Sequence, residues 1–468
     1  MKTKQKFLTI ALAAITLWQG ELTAQTHADA RPGDRPNIIY ILTDDMGYSD
    51  VGCFGGKFVS TPNIDRLAAE GRKFTKFYSA APICSPSRAG FITGMYPARW
   101  NFSTYLDNRK HNANAEQADW LDPSAPTVAK FFKKAGYATG HFGKWHMGGG
   151  RDVKDAPGFE KYGFDEHVST YESPDPDPLI TATNWIWSEK DSIKRWDRTK
   201  YFVDKTLAFL EKHKGQPCYV NLWPDDVHTP WVPRVETEYT GKFPMNPEEE
   251  AAFKLVLKEY DVQIGRLLDG LKRMGIDKNT IVIFTSDNGP LPSFRGSRAA
   301  GLRGSKLSLY EGGTRMPFII SWPGHIAPGA TDSTSVLSSL DMLPSFARFA
   351  GIKLPSDYHG DGKDRSKTLL GMPSARDMDM YWEYGRNNIA FVYPKGRDRS
   401  PGLAIRSGRW KLLMNQDGSG AELYNMDNDP NETSNIILEN PKVAAELQEK
   451  LHKWWASLPR KRLRENHQ

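Results

Sequence analysis

Cysteine is scarce: 468 residues carry only Cys53, Cys84 and Cys218. Three thiols are too few for the disulfide framework that staples small exported domains, and the odd count singles one of them out. No segment beyond the N-terminus stays apolar long enough to span a bilayer, so stable membrane insertion is not expected. No tract interleaves Lys and Arg with aromatics, and the formal charge of +6 falls to +4 once Lys2, Lys4, Lys6 and Glu21 are set aside. So slight an excess argues against nucleic acid as a partner while leaving room for a local anion pocket. Internal repeats, low-complexity tracts and clusters of Cys with His are also missing.

What is present begins with an export signal. Lys2, Lys4 and Lys6 form a basic head, residues 7–18 an apolar stretch, and Leu22-Thr23-Ala24 a cleavage site. This pattern predicts a signal peptide over residues 1–24 and a periplasmic or secreted protein. No cysteine lies near that site, which argues against a lipid anchor. The remaining length suffices for a large domain over 25–350 and a smaller one over 351–468.

Continuous apolar runs at 38–42, 218–222 and 280–285 read as strands buried on both faces, with further strands at 74–79, 137–142 and 318–321. Helices alternate with them, starting at the caps Thr61 and Thr127 and covering 201–212 and 248–274. This alternation predicts an α/β domain with a large, mostly parallel sheet flanked by helices. After about Gly351 the texture changes. Short strands at 380–384, 403–406, 410–414 and 422–424, split by Gly, Asn and Asp turns, precede a helix at 441–458. They predict a small antiparallel sheet with a helix, docked on the large domain.

Polar clusters follow the predicted strands, where open α/β sheets build their sites. Asp44-Asp45 and Asp287-Asn288 offer oxygen ligands suited to Ca²⁺ or Mg²⁺, although each pair alone reads equally well as a cap or turn. Cys84-Ser85-Pro86-Ser87-Arg88 sits between a strand and a helix start. A helix N-terminus lowers a thiol pKa, so Cys84 is expected to be reactive; the alternative is a buried structural cysteine.

Cys84-Ser85-Pro86-Ser87-Arg88, continuing to Thr93-Gly94, resembles the sulfatase family's motif for formylglycine formation. Gly136-Tyr137-Ala138-Thr139 with Gly143-Lys144-Trp145-His146 is similar to its second motif, Phe142 replacing a smaller residue. His228-Thr229-Pro230, Thr285-Ser286-Asp287-Asn288-Gly289 and Arg303-Gly304-Ser305-Lys306, running on to Gly313, resemble three more in the same order. The stretches from Ile405-Arg406 to Asn425 and Asp429-Pro430-Asn431-Glu432 resemble sulfatase tails. The resemblance implies an alkaline-phosphatase-like fold and one Ca²⁺ held by Asp44, Asp45, Asp287, Asn288 and modified Cys84. It also implies that Cys84 is oxidised to 3-oxoalanine (formylglycine) by a formylglycine-generating or anaerobic sulfatase-maturating enzyme. A hydroxyl of the hydrated aldehyde would attack sulfur, with Arg88, Lys144 and Lys306 aimed at sulfate oxygens. His228 would protonate the departing alcohol, and His146 would take the proton that releases sulfate.

By analogy the substrate is a sulfated polysaccharide or oligosaccharide. Candidate contacts are Arg99, Trp100, Arg109, His111, Trp231, Arg234, Arg295 and Arg298, with Trp185 and Trp187, all in loops after strands or motifs. Two other readings stay open: a phosphomonoesterase or phosphodiesterase of the same superfamily, and a non-catalytic binder of sulfated glycans.

Overall fold

The computed structural model describes residues 35–183, 185–234 and 248–459; the expected signal peptide lies outside them. The large sheet contains β1 (Asn37–Thr43), β2 (Arg72–Tyr78), β3 (Ala138–Gly143), β4 (Glu166–Ser169), β5 (Cys218–Trp223), β6 (Thr280–Ser286), β7 (Arg315–Ser321), β8 (Ala330–Asp332) and β9 (Leu337–Ser338). Their spatial order is β4-β3-β5-β1-β6-β7-β2-β8, with β9 also on β2. All pairings are parallel except those of β7, which runs antiparallel to β6 and β2. The small sheet is β10 (Met380–Glu383), β11 (Leu403–Ser407), β12 (Trp410–Met414) and β13 (Glu422–Asn425), antiparallel throughout. The expected architecture is present. The strands absent from the sequence reading are β4, β8 and β9, of four, three and two residues, too short to carry a periodic signal.

Alternation explains why β1 is central. Ile38, Tyr40 and Leu42 enter the core on one face of the sheet, and Ile39 and Ile41 the core on the other. The small sheet uses the same device. Ala404 and Leu413 face a core shared with Ile83, Cys84 and Leu309, while Leu403, Ile405 and Leu412 pack on Leu447 and Leu451 of the terminal helix Pro441–Ala456. The small sheet thus supports the loop that carries Cys84. Among the described residues, no helix is long and apolar enough to cross a membrane.

Where the two sheets meet, the Lys411 ammonium is buried 3.0 Å from Glu311 Oε1 and 2.8 Å from Glu432 Oε1. Glu311 has a second cation in Arg315, 3.7 Å from its Oε2, whereas among the described residues Lys411 is the one cation paired with the Glu432 carboxylate. Burial, reinforced by Glu311, pushes Glu432 up to about 7 against the pull of Lys411. Because this folded value is raised, the stability it contributes is fully present below the ordinary glutamate range and lost as pH rises through about 7. Glu432→Gln keeps an acceptor for the Glu311 amide, now 2.7 Å from Glu432 Oε2. The variant should lose less stability between about pH 5 and about pH 8, narrowing the fall in Tm by about 2 °C or more. Thermal melts at the two pH values check it; an unchanged difference rules it out.

Candidate active site

Four adjacent strands aim their C-terminal ends at one place. In the order β3-β5-β1-β6, these ends are followed by Lys144, Asp225, Asp44 with Asp45, and Asp287 with Asn288. Gly143 ends β3 with φ 129°, and a Cβ there would lie 2.0 Å from the Trp223 carbonyl oxygen. Only glycine fits that approach, which lets the Lys144 amide donate to Trp223 O at 2.8 Å. Asp45 and His146 also hold positive φ, 58° and 53°, a costly conformation for non-glycine residues that gathers at functional sites.

Cys84 opens the helix Cys84–Thr93, every residue of which is buried. Gly94 closes the helix in the left-handed conformation, its N–H donating to Gly90 O. Pro86 falls in the first turn, where its missing N–H is harmless. The Ser87 hydroxyl donates to the Asp287 carbonyl and Ser85 Oγ accepts from the Leu106 amide, tying the helix to two site loops. All three cysteines are free thiols. Burial pushes the Cys84 thiol up to about 12, against Lys144 and Lys306, the opposite direction from that expected of a helix N-terminus. Desolvation of the thiolate outweighs both nearby ammonium groups.

Asp44, Asp45 and Cys84 offer ligand atoms within 4.8 Å of one another. Arg88 lies beneath them, fully buried, donating to Asp44 Oδ1 at 3.1 Å, Asp287 Oδ2 at 2.7 Å and Lys144 O at 2.9 Å. It does not reach the cavity wall, so it fixes the carboxylates instead of facing an anion as expected. Lys144 Nζ is 2.8 Å from Asp44 Oδ2 and 3.6 Å from Cys84 Sγ. Burial disfavours the Lys306 ammonium, but Asp45, 2.6 Å away, outweighs it and holds the group well above the usual lysine range.

The donor set fits a hard divalent cation. Asn288 Oδ1 is buried and has no hydrogen-bond partner among the described residues, its Nδ2 donating to Asp45 Oδ1 at 2.8 Å. Burial, with Asp44 and Asp45 behind it, pushes Asp287 up to about 7 against Arg88. Oxygen atoms of this kind, in excess of their donors, are what calcium binds.

The two histidines belong to separate groups. His228 Nδ1 lies 2.6 Å from the Thr229 carbonyl, which can only accept, so Nδ1 carries the proton. Nε2 therefore accepts from the Lys306 ammonium at 3.2 Å. Burial, then Lys306, lowers the His228 pKa, and at rest the proton of this pair sits on the lysine. His146 Nε2 is 3.0 Å from Leu106 O and Nδ1 is 3.2 Å from Glu172 Oε2. Burial drives the ring down to about 3 despite Glu172. Neutral His146 has one N–H for two acceptors.

Cys84, Lys144, His146, His228 and Lys306 all line one cavity of about 260 Å³, with Asp44, Tyr105, Glu172, Asp225 and Tyr393. None of the ten residues expected to hold substrate lines it. Most of the cations are already paired. Arg99 clamps Asp361 with two bonds of 2.7 Å, Arg109 binds Asp119 and Asp155, Arg234 binds Asp197, and buried Arg298 binds Asp50. Trp231 is core, its Nε1 donating to Val227 O, and Trp100 packs on the large core. His111 stacks on Tyr105, and Arg295 is exposed. Ile186, between Trp185 and Trp187, does line the wall. Glu172, Tyr105 and Tyr393 carried no signal in the sequence. Asp225 did: Asp225-Asp226 follows β5 as Asp44-Asp45 follows β1.

The strand ends thus gather a buried cysteine at a helix start, an oxygen-rich cation site and the Lys306–His228 pair. Comparison with known proteins gives the class. The Sulfatase family model matches residues 36–352, and that of the N-sulphoglucosamine sulphohydrolase C-terminal region matches 305–460. The chain is 29% identical to an N-acetylgalactosamine-6-O-sulfatase of Bacteroides thetaiotaomicron, over 96% of this chain and 99% of the relative. It is 34% identical to the N-acetylgalactosamine-6-sulfatase of Mus musculus, over 77% and 71%. A solved structure from work on glycosaminoglycan metabolism by Bacteroides thetaiotaomicron superposes with a TM-score of 0.72 at 27% identity, covering 90% of this chain and 99% of the other. The chain belongs to the sulfatase family and is a sulfuric ester hydrolase.

Proposed function

We propose that this chain hydrolyses a sulfate ester on a sugar, using a nucleophile made from Cys84 and one bound calcium ion. The observation that carries the reading is Cys84 Sγ lying 3.6 Å from Lys144 Nζ, in a cavity that also exposes Asp44, His146, His228 and Lys306. Formylglycine at position 84, once hydrated, supplies a hydroxyl nucleophile that the buried thiol is not. Asp44, Asp45, Asp287 and Asn288 would hold the calcium ion, which would supply positive charge to the bound sulfate.

The chain's own groups do the rest. Lys144 and Lys306 direct N–H donors at the anion in a water-poor pocket, where such contacts count most. The Lys306–His228 pair supplies the proton for the departing alcohol, starting from the lysine. Neutral His146 accepts a proton near the nucleophile, oriented by Glu172. The cavity volume of about 260 Å³ suits one sugar unit better than a length of polymer, and two relatives act on N-acetylgalactosamine 6-sulfate by name. We further propose export through residues 1–24, a formylglycine-making partner enzyme, and division of the chain at 350/351.

Rates on nitrophenyl sulfate and nitrophenyl phosphate test the reading; faster cleavage of the phosphate by matured protein would sink it. Leaving-group dependence tests the assignment of His228. His228→Ala should lower kcat/KM by about 10²–10⁴-fold on a sugar sulfate but only about tenfold on nitrophenyl sulfate, whose phenolate departs without a proton. Equal losses on both would remove His228 from proton delivery.

A further inference from the structure

One carboxylate on the cavity wall has no part in the chemistry above. Asp225 stands two residues beyond β5 and is 3% exposed. Its Oδ2 accepts from Arg195 at 2.9 Å and from Arg198 at 3.0 Å. Its Oδ1 is buried and has no hydrogen-bond partner among the described residues.

The two arginines are themselves immobilised. Arg195 also donates to the carbonyls of Pro230, Asp225 and His228, and Arg198 to those of Ile180 and Ile186. Asp225 is therefore held in one orientation. Burial disfavours its charge, but Arg195 and Arg198 outweigh burial and keep the carboxyl below its ordinary range. An ionised oxygen out of water without a donor is strongly unfavourable, and in a ligand cavity the missing donor belongs to the ligand. Arg195 and Arg198 both bind the other carboxylate oxygen, and Arg198 is shared with Asp191 at 3.4 Å, so the free oxygen is left as an acceptor. It can accept from a neutral hydroxyl and has no proton to offer a sulfate or a carboxylate.

We propose that Asp225 Oδ1 accepts a hydrogen bond from a hydroxyl of the sulfated sugar, selecting a sugar whose group at that position is uncharged. This rests on the sugar sulfatase reading and specifies its substrate. No residue singled out earlier for substrate binding performs that selection.

The test compares matured native protein and Asp225→Asn on sulfate regioisomers of galactose, N-acetylgalactosamine and glucosamine, then on monodeoxy analogues of the one cleaved fastest. In the native enzyme, removal of one hydroxyl should lower kcat/KM about 10–100-fold, as for a bond to a charged acceptor. In Asp225→Asn the same removal should cost less than about threefold, because an amide N–H stands in place of the charged acceptor and only a neutral bond is left to lose. Identical penalties in the two proteins would overturn the proposal. So would a native enzyme that cleaves nitrophenyl sulfate but none of the sugars; failure on every sulfate ester would instead overturn the sulfatase reading. If Asp225→Asn does not fold, Asp225→Glu retains the charge for both arginines while moving the free oxygen, and the same comparison decides.

Discussion

Cys84→Ala is expected to lower kcat on any sulfate ester by about 10⁴–10⁶-fold, the scale seen when a covalent nucleophile is removed. Folding should survive. The thiol is small, and its loss from the core under the small sheet leaves a cavity worth about 1 kcal/mol, or at most about 4 °C in Tm. Protein made without a maturing enzyme should be equally inert although its sulfur is intact. With burial pushing the thiol up to about 12, the thiolate is a minor form at neutral pH. Mass spectrometry of the peptide containing residue 84, alongside a rate on the same sample, provides the check. Native turnover by protein in which that cysteine is wholly unmodified would refute the assignment.

Removal of divalent cations has the second large effect. Dialysis against a chelator should lower activity by about 10³-fold or more and lower Tm by a few degrees, with calcium restoring both. The reason is crowding. Asp44, Asp45 and Asp287 converge with Asn288 in a space where the cations paired with their carboxylates are Arg88, Lys144 and Lys306. Without an ion, Asp287 is pushed up to about 7 and Asn288 Oδ1 stays unpaired. An ion that satisfies both stabilises the fold as well as the reaction, so a melt responds even when turnover is not measured. Unchanged Tm and unchanged rate after exhaustive chelation would exclude the ion.

The fold was legible wherever burial is two-sided. The run at 38–42 has no alternation because both faces of β1 are covered, and it marks the centre of the sheet. The site was legible where residues sit at strand ends, as Asp44, Lys144 and Asp287 do. Arg88 was legible as a site residue but not as a support, since only the three-dimensional arrangement shows two carboxylates closing over its guanidinium. Most of the candidate substrate cations are paired with carboxylates and lie off the cavity wall, which surface composition cannot reveal. Arg298 looks like a free cation in the sequence, yet Asp50, far away in the chain, occupies it. Glu172 was invisible because it follows β4, a strand of four residues.

Complete burial of the helix that begins at Cys84 bears on the order of events that the proposed maturation would follow. An oxidising enzyme must grasp the residues around its target, and in the folded protein all ten from Cys84 to Thr93 are buried. On that proposal the chemistry would have to happen on a nascent or still unfolded chain. Rapid folding would then compete with maturation, and a molecule that closed first would stay well formed but silent.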